Sequence, residues 1–436
     1  MDFIRCIEGK ISSQIVAYRS TLFKETTNLK EKKYIKNTVM LYLMNIAKMI
    51  FPLLTLPYLT RVLSIECYGV VSYVKAVMQY MQLFVDFGFI LSGTKAIVLC
   101  NGDKNEINKQ VSTVLFAKII LSFIGLCTVG VLIIFIPLLQ TDIPFVLLSY
   151  LNVALSCFLF DYFFRGIEEM HIITIRFVIA KFISTALTFV FVNSDKEVLM
   201  IPILDIIGTI AAILFVLFDL HKRKIKIVSV RIKAIWNSLK DSLIFFLSSI
   251  ATTAFLAFNT VMIGIFLSEI EVAYWSVCLQ IISAVLSLYN PISDGIYPHM
   301  IKSKDFNVVR KALMIFMPII VCGCLIAFFA ARPVLLVIGG QKYEDAYIIL
   351  RCLIPVLFFG FPASILGWPV FGAIGKEKVN TGITVSIALV QVVGLVVLIL
   401  VGKFELIYIA LYKSLIEFIL FLSRYIGVRK YRHLLN

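Results

Sequence analysis

The sequence predicts an all-α polytopic membrane protein of twelve transmembrane helices, arranged as two pseudo-symmetric lobes of six. Three observations predict this. Apolar residues make up 60% of the 436 and charged residues 15%, against roughly 45–50% and about 25% in soluble domains. The mean hydropathy is +0.97. Twelve apolar runs are each long enough for a bilayer core of ~30 Å. Polar residues inside those runs also repeat at a constant offset between the two halves. This composition excludes a soluble enzyme, a disordered chain and a disulfide-stapled secreted domain. The net charge of +15 is not a nucleic-acid footprint, because the basic residues sort to one side of a membrane.

The elements follow in order. Residues 1–37 carry eight Lys and Arg, and Ile4, Ile7, Ile11, Ile15, Tyr18 and Leu22 recur every three or four positions. That is the period of an amphipathic helix with a basic face, suited to lying on anionic membrane lipid. No short basic region followed by an apolar core marks a cleavable signal. Spans are expected at 38–60, 69–92, 111–139, 144–165, 172–192, 198–218, 241–266, 273–296, 312–330, 348–371, 379–401 and 405–423. The basic linker 219–240 separates an N-lobe, 38–218, from a C-lobe, 241–423, and 424–436 forms a tail. With the N-terminus inside, 30 of the 41 Lys and Arg fall on inner segments. Five fall outside: Arg61, Lys196, Arg332, Lys342 and Lys403. Basic residues near span ends stay cytoplasmic, so both termini are expected there. The nine cysteines form no C-x-x-C pair and read as small buried hydrophobes.

The repeat locates a candidate site. Ser72, Lys75, Gln79, Gln82 and Asp86 step by 3, 4, 3 and 4 in the second span. Gln280, Ser283, Ser287, Asn290 and Asp294 take the same steps in the eighth, each 208 residues later. These steps place five polar residues on one helix face. Such a face is costly in hydrocarbon and belongs against other helices or a water-filled cavity. Six spans per half leave the halves in the same orientation, related by an axis along the membrane normal. Asn45, Lys48, Pro52 and Thr55 form a matching stripe in the first span, and Ser249, Thr252 and Asn259 a weaker one in the seventh. Spans 1, 2, 7 and 8 are therefore expected to line the cavity.

Six cations fall within spans: Lys48, Lys75, Lys118, Lys181, Arg351 and Lys413. A Lys at a helix centre costs ~2.5–3.5 kcal/mol on insertion scales, so these need partner carboxylates or an anionic substrate. Asp86, Asp161 and Asp205 are available as partners; Lys118 and Lys413 read as structural. Lys48, Lys75 and Lys181 are candidates for a substrate path, with Asn45, Gln79, Gln82, Asn259, Gln280 and Asn290 as polar contacts. Arg61, at the outer end of span 1, reads as an interface anchor or an exit-side ligand. Asp294 and Asp86 are candidates for coupling transport to H+ or Na+, the alternative being pairing with nearby lysines. The sequence has no nucleotide-binding loop and no paired metal-ligating histidines. Neither catalysis nor a cofactor is expected.

The segments FPLLTLPYLTRVLS (51–64), ECYGVVSY (66–73), VDFGFILSGTKA (85–96), FFRGIEEMHIITIR (163–176) and GGQKYEDAYIILR (339–351) resemble, in this order, bacterial polysaccharide flippases. These are the O-antigen and capsule repeat-unit transporters of the multidrug/oligosaccharidyl-lipid/polysaccharide superfamily. The resemblance runs from about residue 37 across nearly the whole chain. It implies a V-shaped pair of six-helix lobes in the bacterial inner membrane. The implied activity moves an undecaprenyl-pyrophosphate-linked oligosaccharide from inner to outer leaflet, beside a polysaccharide polymerase and a chain-length regulator. Arg61, Lys95, Glu168, Lys181 and Arg351 match charged places of the family. Lys95 replaces a common Arg, Ser64 a common Gly and Arg165 a common Gln. A cation antiporter of the same superfamily would want carboxylates in the cavity. A lipid II flippase would have fourteen spans. A non-transporting scaffold of the assembly machinery is a further reading.

Overall fold

A computed structural model describes residues 36–435, without the side chains at 248 and 251–256. The expected amphipathic helix of 1–37 therefore lies outside the described residues, apart from its last two positions. The described chain is 88% helix and has no strand. In the first half the helices are α1 (Lys36–Val62), α2 (Ile65–Asp86), α3 (Phe89–Leu99), α4 (Lys104–Phe135), α5 (Pro137–Gln140) and α6 (Ile143–Leu155). They continue with α7 (Asp161–Gly166), α8 (Met170–Phe191) and α9 (Met200–Lys222). The second half holds α10 (Ile232–Phe266), α11 (Glu269–Ser287), α12 (Asn290–Ser303), α13 (Phe306–Gly339) and α14 (Tyr347–Leu366). It closes with α15 (Trp368–Ala373), α16 (Glu377–Leu400) and α17 (Leu406–Lys430).

Eleven helices among the described residues are long and apolar enough to cross a membrane, several of them composite. They fall on every predicted span except the seventh. That span lies in α10, whose described apolar portion is the short stretch Ala257–Phe266.

The sequence missed the breaks. The second span divides at Phe87 and Gly88, both in the left-handed region. A Cβ on Gly88 would also press on the Ser242 carbonyl and Phe245 of α10. The fourth divides at Phe160, again left-handed. The eighth divides at Leu288 and Tyr289, between α11 and α12. Prolines inside α12, α13 and α14 remove backbone donors and loosen these helices, which surrounding helices can compensate.

Repeated approaches give repeated caps. Ser64 caps α2 by accepting from the Cys67 amide. Ser268 caps α11 in a reciprocal box with Glu271. Each cap satisfies amides that the first helical turn leaves unpaired. The linker is shorter than expected. Helix α9 continues to Lys222, and α10 begins at Ile232. The extended stretch between them is tied to α4, where Asn108 and Ser112 accept from the Lys226 and Val228 amides at 3.0 and 2.8 Å.

Helix α8 packs along α9, and α6 contacts α9 and α2. In the second half α14 lies against α17, α13 and α11. The halves meet where α11 contacts α2, and α10 reaches α2, α3 and α4 as well as α16. Large apolar side chains point outward elsewhere, including Phe123, Phe135, Phe218 and Phe329. Together with the span lengths, this identifies a multi-pass membrane protein, since such a surface is stable only against lipid.

Candidate transport cavity

A cavity of about 840 Å³ opens between the two halves. Of the four expected walls, all contribute: α1 through Pro52 and Thr55, α2 through Ser72, Lys75 and Gln79, α10 through Thr260, and α11 through Gln280, Ser283 and Ser287. Asn290, the first residue of α12, also lines it. The structure adds walls beyond these four. Helices α8 and α9 bring Lys181, Ser184 and Asp205, and α14 and α17 bring Val356, Lys413 and Glu417.

Charge is arranged in two places. On the first-half wall, the Lys181 ammonium meets an Asp205 carboxylate oxygen at 2.8 Å, and Ser184 donates to the same oxygen at 2.7 Å. Lys75 stands beside them, within electrostatic reach of both Lys181 and Asp205. Its own ammonium has no hydrogen-bond or ion-pair partner among the described residues. On the second-half wall, Lys413 and Glu417 sit one turn apart on α17 and act on one another. Arg424, behind them, donates to the Ala363 carbonyl at 2.8 Å and to Thr384 at 3.2 Å. The cavity thus presents Lys75, Lys181 and Lys413 against Asp205 and Glu417. Lys75 makes no ion pair with either carboxylate and feels Asp205 only through space, as Lys413 feels Glu417.

Several expected residues stand elsewhere. Gln82 and Asp86 are turned away from the cavity. The Gln82 amide donates to Asp86 and to Ser156, both at 2.9 Å, and Lys118 of α4 meets Asp86 at 2.7 Å. The helix ends at Asp86, so the carboxylate is aimed at a buried lysine instead of along the stripe. Asp294 is exposed on α12, one turn beyond Asn290, and outside the cavity lining. Asn259 is buried, accepting from Gln391 of α16 at 2.9 Å. Asn45 and Lys48 are exposed on α1 and also lie outside the lining. The Lys48 ammonium sits 5.7 Å from the centre of the Phe177 ring. Asp161 pairs with Arg176.

Arg61 links the halves. It donates to the Val337 carbonyl at 2.6 Å, while Thr60 donates to the neighbouring Ile338 carbonyl at 2.8 Å. Lys342 returns the contact to the Leu63 carbonyl at 3.0 Å. Tyr68 meets the buried Tyr343 edge-on. A Cβ on Gly69 would fall on the Glu269 carbonyl, so only glycine allows α2 and α11 to approach this closely. These contacts gather at the end expected to be outer.

The sequence named Asp205 only as a spare carboxylate and read Lys413 as structural. One signal was present: Asp205 and Lys413 are 208 residues apart, the same offset as the stripes.

Residues 34–304 match the polysaccharide biosynthesis protein family. The chain belongs to that family. It is 29% identical over 277 residues to a protein of Shigella dysenteriae assigned as an O-antigen transporter, covering 63% of this chain and 69% of that one. A protein of Escherichia coli K12 with the same assignment is 24% identical over 343 residues, covering 76% and 82%. Among solved structures, an inward closed conformation of the lipid II flippase MurJ superposes with a TM-score of 0.69 at 16% identity, covering 91% of this chain and 87% of that one. A multidrug resistance transporter of the multidrug/oligosaccharidyl-lipid/polysaccharide superfamily gives 0.63 at 16% identity in its inward-facing conformation, covering 90% and 95%. An outward-facing structure of such a transporter gives 0.51 at 15%, covering 91% and 96%. At these identities the likeness establishes the fold alone.

Proposed function

We propose that the protein is a flippase carrying an undecaprenyl-pyrophosphate-linked oligosaccharide repeat unit from the inner to the outer leaflet of the bacterial cytoplasmic membrane. The reading rests chiefly on one observation: Lys75 projects an unpaired ammonium into the cavity beside the Lys181–Asp205–Ser184 cluster. An anionic head group crossing a membrane must be drawn out of water. A cation in surroundings of effective dielectric near ~20 attracts it far more strongly than in bulk water. A cationic drug would meet repulsion from the same group, which disfavours the antiporter reading.

Both termini are cytoplasmic in this proposal, and the basic segment 1–37 lies on anionic lipid. The state is inward-facing. Contacts around Arg61, Tyr343 and Gly69 join the halves at the outer end, and the superposition is better on the inward-facing multidrug transporter than on the outward-facing one. Transport draws on an ion gradient. Glu417 is a better placed carboxylate for that role than Asp86 or Asp294, because it borders the cavity. The test is reconstitution. Liposomes holding the purified protein should move repeat-unit lipid between leaflets, detected by its accessibility to an added glycosidase. Lys75→Ala should lower the rate at least tenfold. Wild-type liposomes no faster than empty ones would end the flippase reading.

A further inference from the structure

Resting on that flippase reading, we infer that the cavity is divided by chemistry. The first-half cations hold the pyrophosphate, and Ser283, Ser287 and Asn290 read the sugar attached to it. The two polar stripes occupy equivalent places in the repeat, so what differs between them is side-chain chemistry. Lys75 corresponds to Ser283, Gln79 to Ser287 and Gln82 to Asn290. The first stripe presents a charge and then loses its lower part, as Gln82 turns to Ser156 and Asp86. In the second, Ser283, Ser287 and Asn290 are neutral and line the cavity, while its carboxylate, Asp294, stands outside the lining.

Their hydrogen-bonding capacity is largely open. The Ser283 hydroxyl and the Asn290 amide have no side-chain partner among the described residues. Ser287 donates to the Ser283 carbonyl at 2.8 Å, leaving its oxygen to accept. Gln280 is different: its amide donates to the Pro52 carbonyl at 2.7 Å, so it holds α11 against α1. Hydroxyl and amide groups both donate and accept, which matches the hydroxyls of a saccharide. Ammonium groups only donate, which matches phosphate. A neutral hydroxyl is a poor competitor for a pyrophosphate that has Lys75 and Lys181 within reach. Ser283 and Ser287 lie one turn apart on α11 and Asn290 opens α12, all three in the same cavity lining as those cations. A substrate lying across the cavity therefore places its charge on one wall and its glycan on the other. A site built from hydrogen-bonding groups rejects a ligand that leaves them unpaired, so this wall sets which repeat unit is accepted.

Two probes separate the walls: undecaprenyl pyrophosphate without sugar, and repeat-unit lipid extracted from source cells lacking this protein. Binding to purified protein in detergent is measured for wild type, Lys75→Ala, Ser283→Ala, Asn290→Ala and the triple Ser283→Ala/Ser287→Ala/Asn290→Ala. Each lost hydrogen bond is worth about three- to tenfold in affinity. The triple variant should lose about 30–1,000-fold for the repeat-unit lipid and stay within about twofold for the bare lipid. Lys75→Ala should lose about tenfold for both. Retained bare-lipid binding shows that a variant is folded. If the triple variant binds neither probe, the single variants decide, each with a selective loss of about three- to tenfold. Equal losses for both probes in the single variants, or no loss for either, overturn the division. A wild-type protein that binds neither probe overturns the flippase reading with it.

Discussion

Removing the Asp86 carboxylate separates a structural role from a coupling role. Lys118 is a buried cation at 2.7 Å from it, with only 8% of its side chain exposed. At an effective dielectric near ~20, that separation gives an attraction of about 6 kcal/mol. Desolvation of each ion costs several kcal/mol and cancels much of it. The pair therefore adds little net stability, but half of it is expensive. Asp86→Asn strands Lys118 in the N-lobe, and an uncompensated buried charge costs ~3–5 kcal/mol. It also weakens the link from Gln82 to Ser156. In a lobe of this size the melting temperature should fall by roughly 10 °C, read by fluorescence-detected gel filtration of heated, detergent-solubilised protein. The double variant Asp86→Leu/Lys118→Met removes both charges and should regain most of the loss. Protein that reaches the membrane should still restore surface polysaccharide to a deletion host. An Asp86→Asn variant that melts like wild type yet loses gradient dependence would refute this reasoning and return Asp86 to the coupling machinery.

Other outcomes follow from the same geometry. Gly69→Val should open the outer end, because its side chain must displace the Glu269 carbonyl; a cysteine placed at Ser72 should then label severalfold faster from outside. Arg61→Ala, which loses the bond to Val337, should act in the same direction but more weakly. Asn259→Leu removes one hydrogen bond of the buried Gln391 amide and should cost ~0.5–1.5 kcal/mol of stability without changing the ratio of affinities for glycosylated and bare lipid. Cysteines at Gln341 and His433 should label from opposite sides of the membrane; labelling from one side would overturn the topology.

The architecture was legible because lipid imposes a coarse rule. A backbone crossing hydrocarbon must satisfy itself, so length and apolarity identify most spans. The stripes were legible because helical period and a fixed offset can be read without coordinates. Breaks were not. Phe160 adopts left-handed backbone in apolar surroundings where nothing in residue type announces a turn, and at Phe87 the one signal is the following Gly88. The breaks alone do not decide which stripe residues reach the cavity: Gln82 and Asp86 precede one and turn to Ser156 and Lys118, while Asn290 follows another and still lines it. Asp86 and Asp294 are equivalent in sequence, yet one ends a helix against Lys118 and the other stands exposed on a separate helix. A stripe predicts a face, and the side chains packed beside it decide which of its residues reach the cavity. Lys48 shows a second limit. Its position on the first-span stripe is correct, but α1 presents that turn to Phe177 and not to the cavity lining.

The repeat carries one further consequence. Asp205 and Lys413 occupy the same place in the two halves with opposite charge, and each has its counter-charge close by: Lys181 on the neighbouring helix for Asp205, Glu417 on its own helix for Lys413. Duplicating one half unchanged would have put a carboxylate at both places, facing each other across the cavity. Exchanging the sign keeps each wall locally paired, so neither needs the substrate to satisfy its buried charge. The excess is then left to Lys75, whose equivalent, Ser283, is neutral. A transporter must hold an anion and also let it go, and several moderate contacts serve this better than one tight site. Paired walls with a single uncompensated cation meet that requirement. Lys181 can share its donors between Asp205 and a phosphate oxygen, and Asp205 retains the Ser184 hydroxyl when it does. Asp205→Asn should therefore tighten binding of bare undecaprenyl pyrophosphate while slowing its release, lowering turnover even as affinity rises.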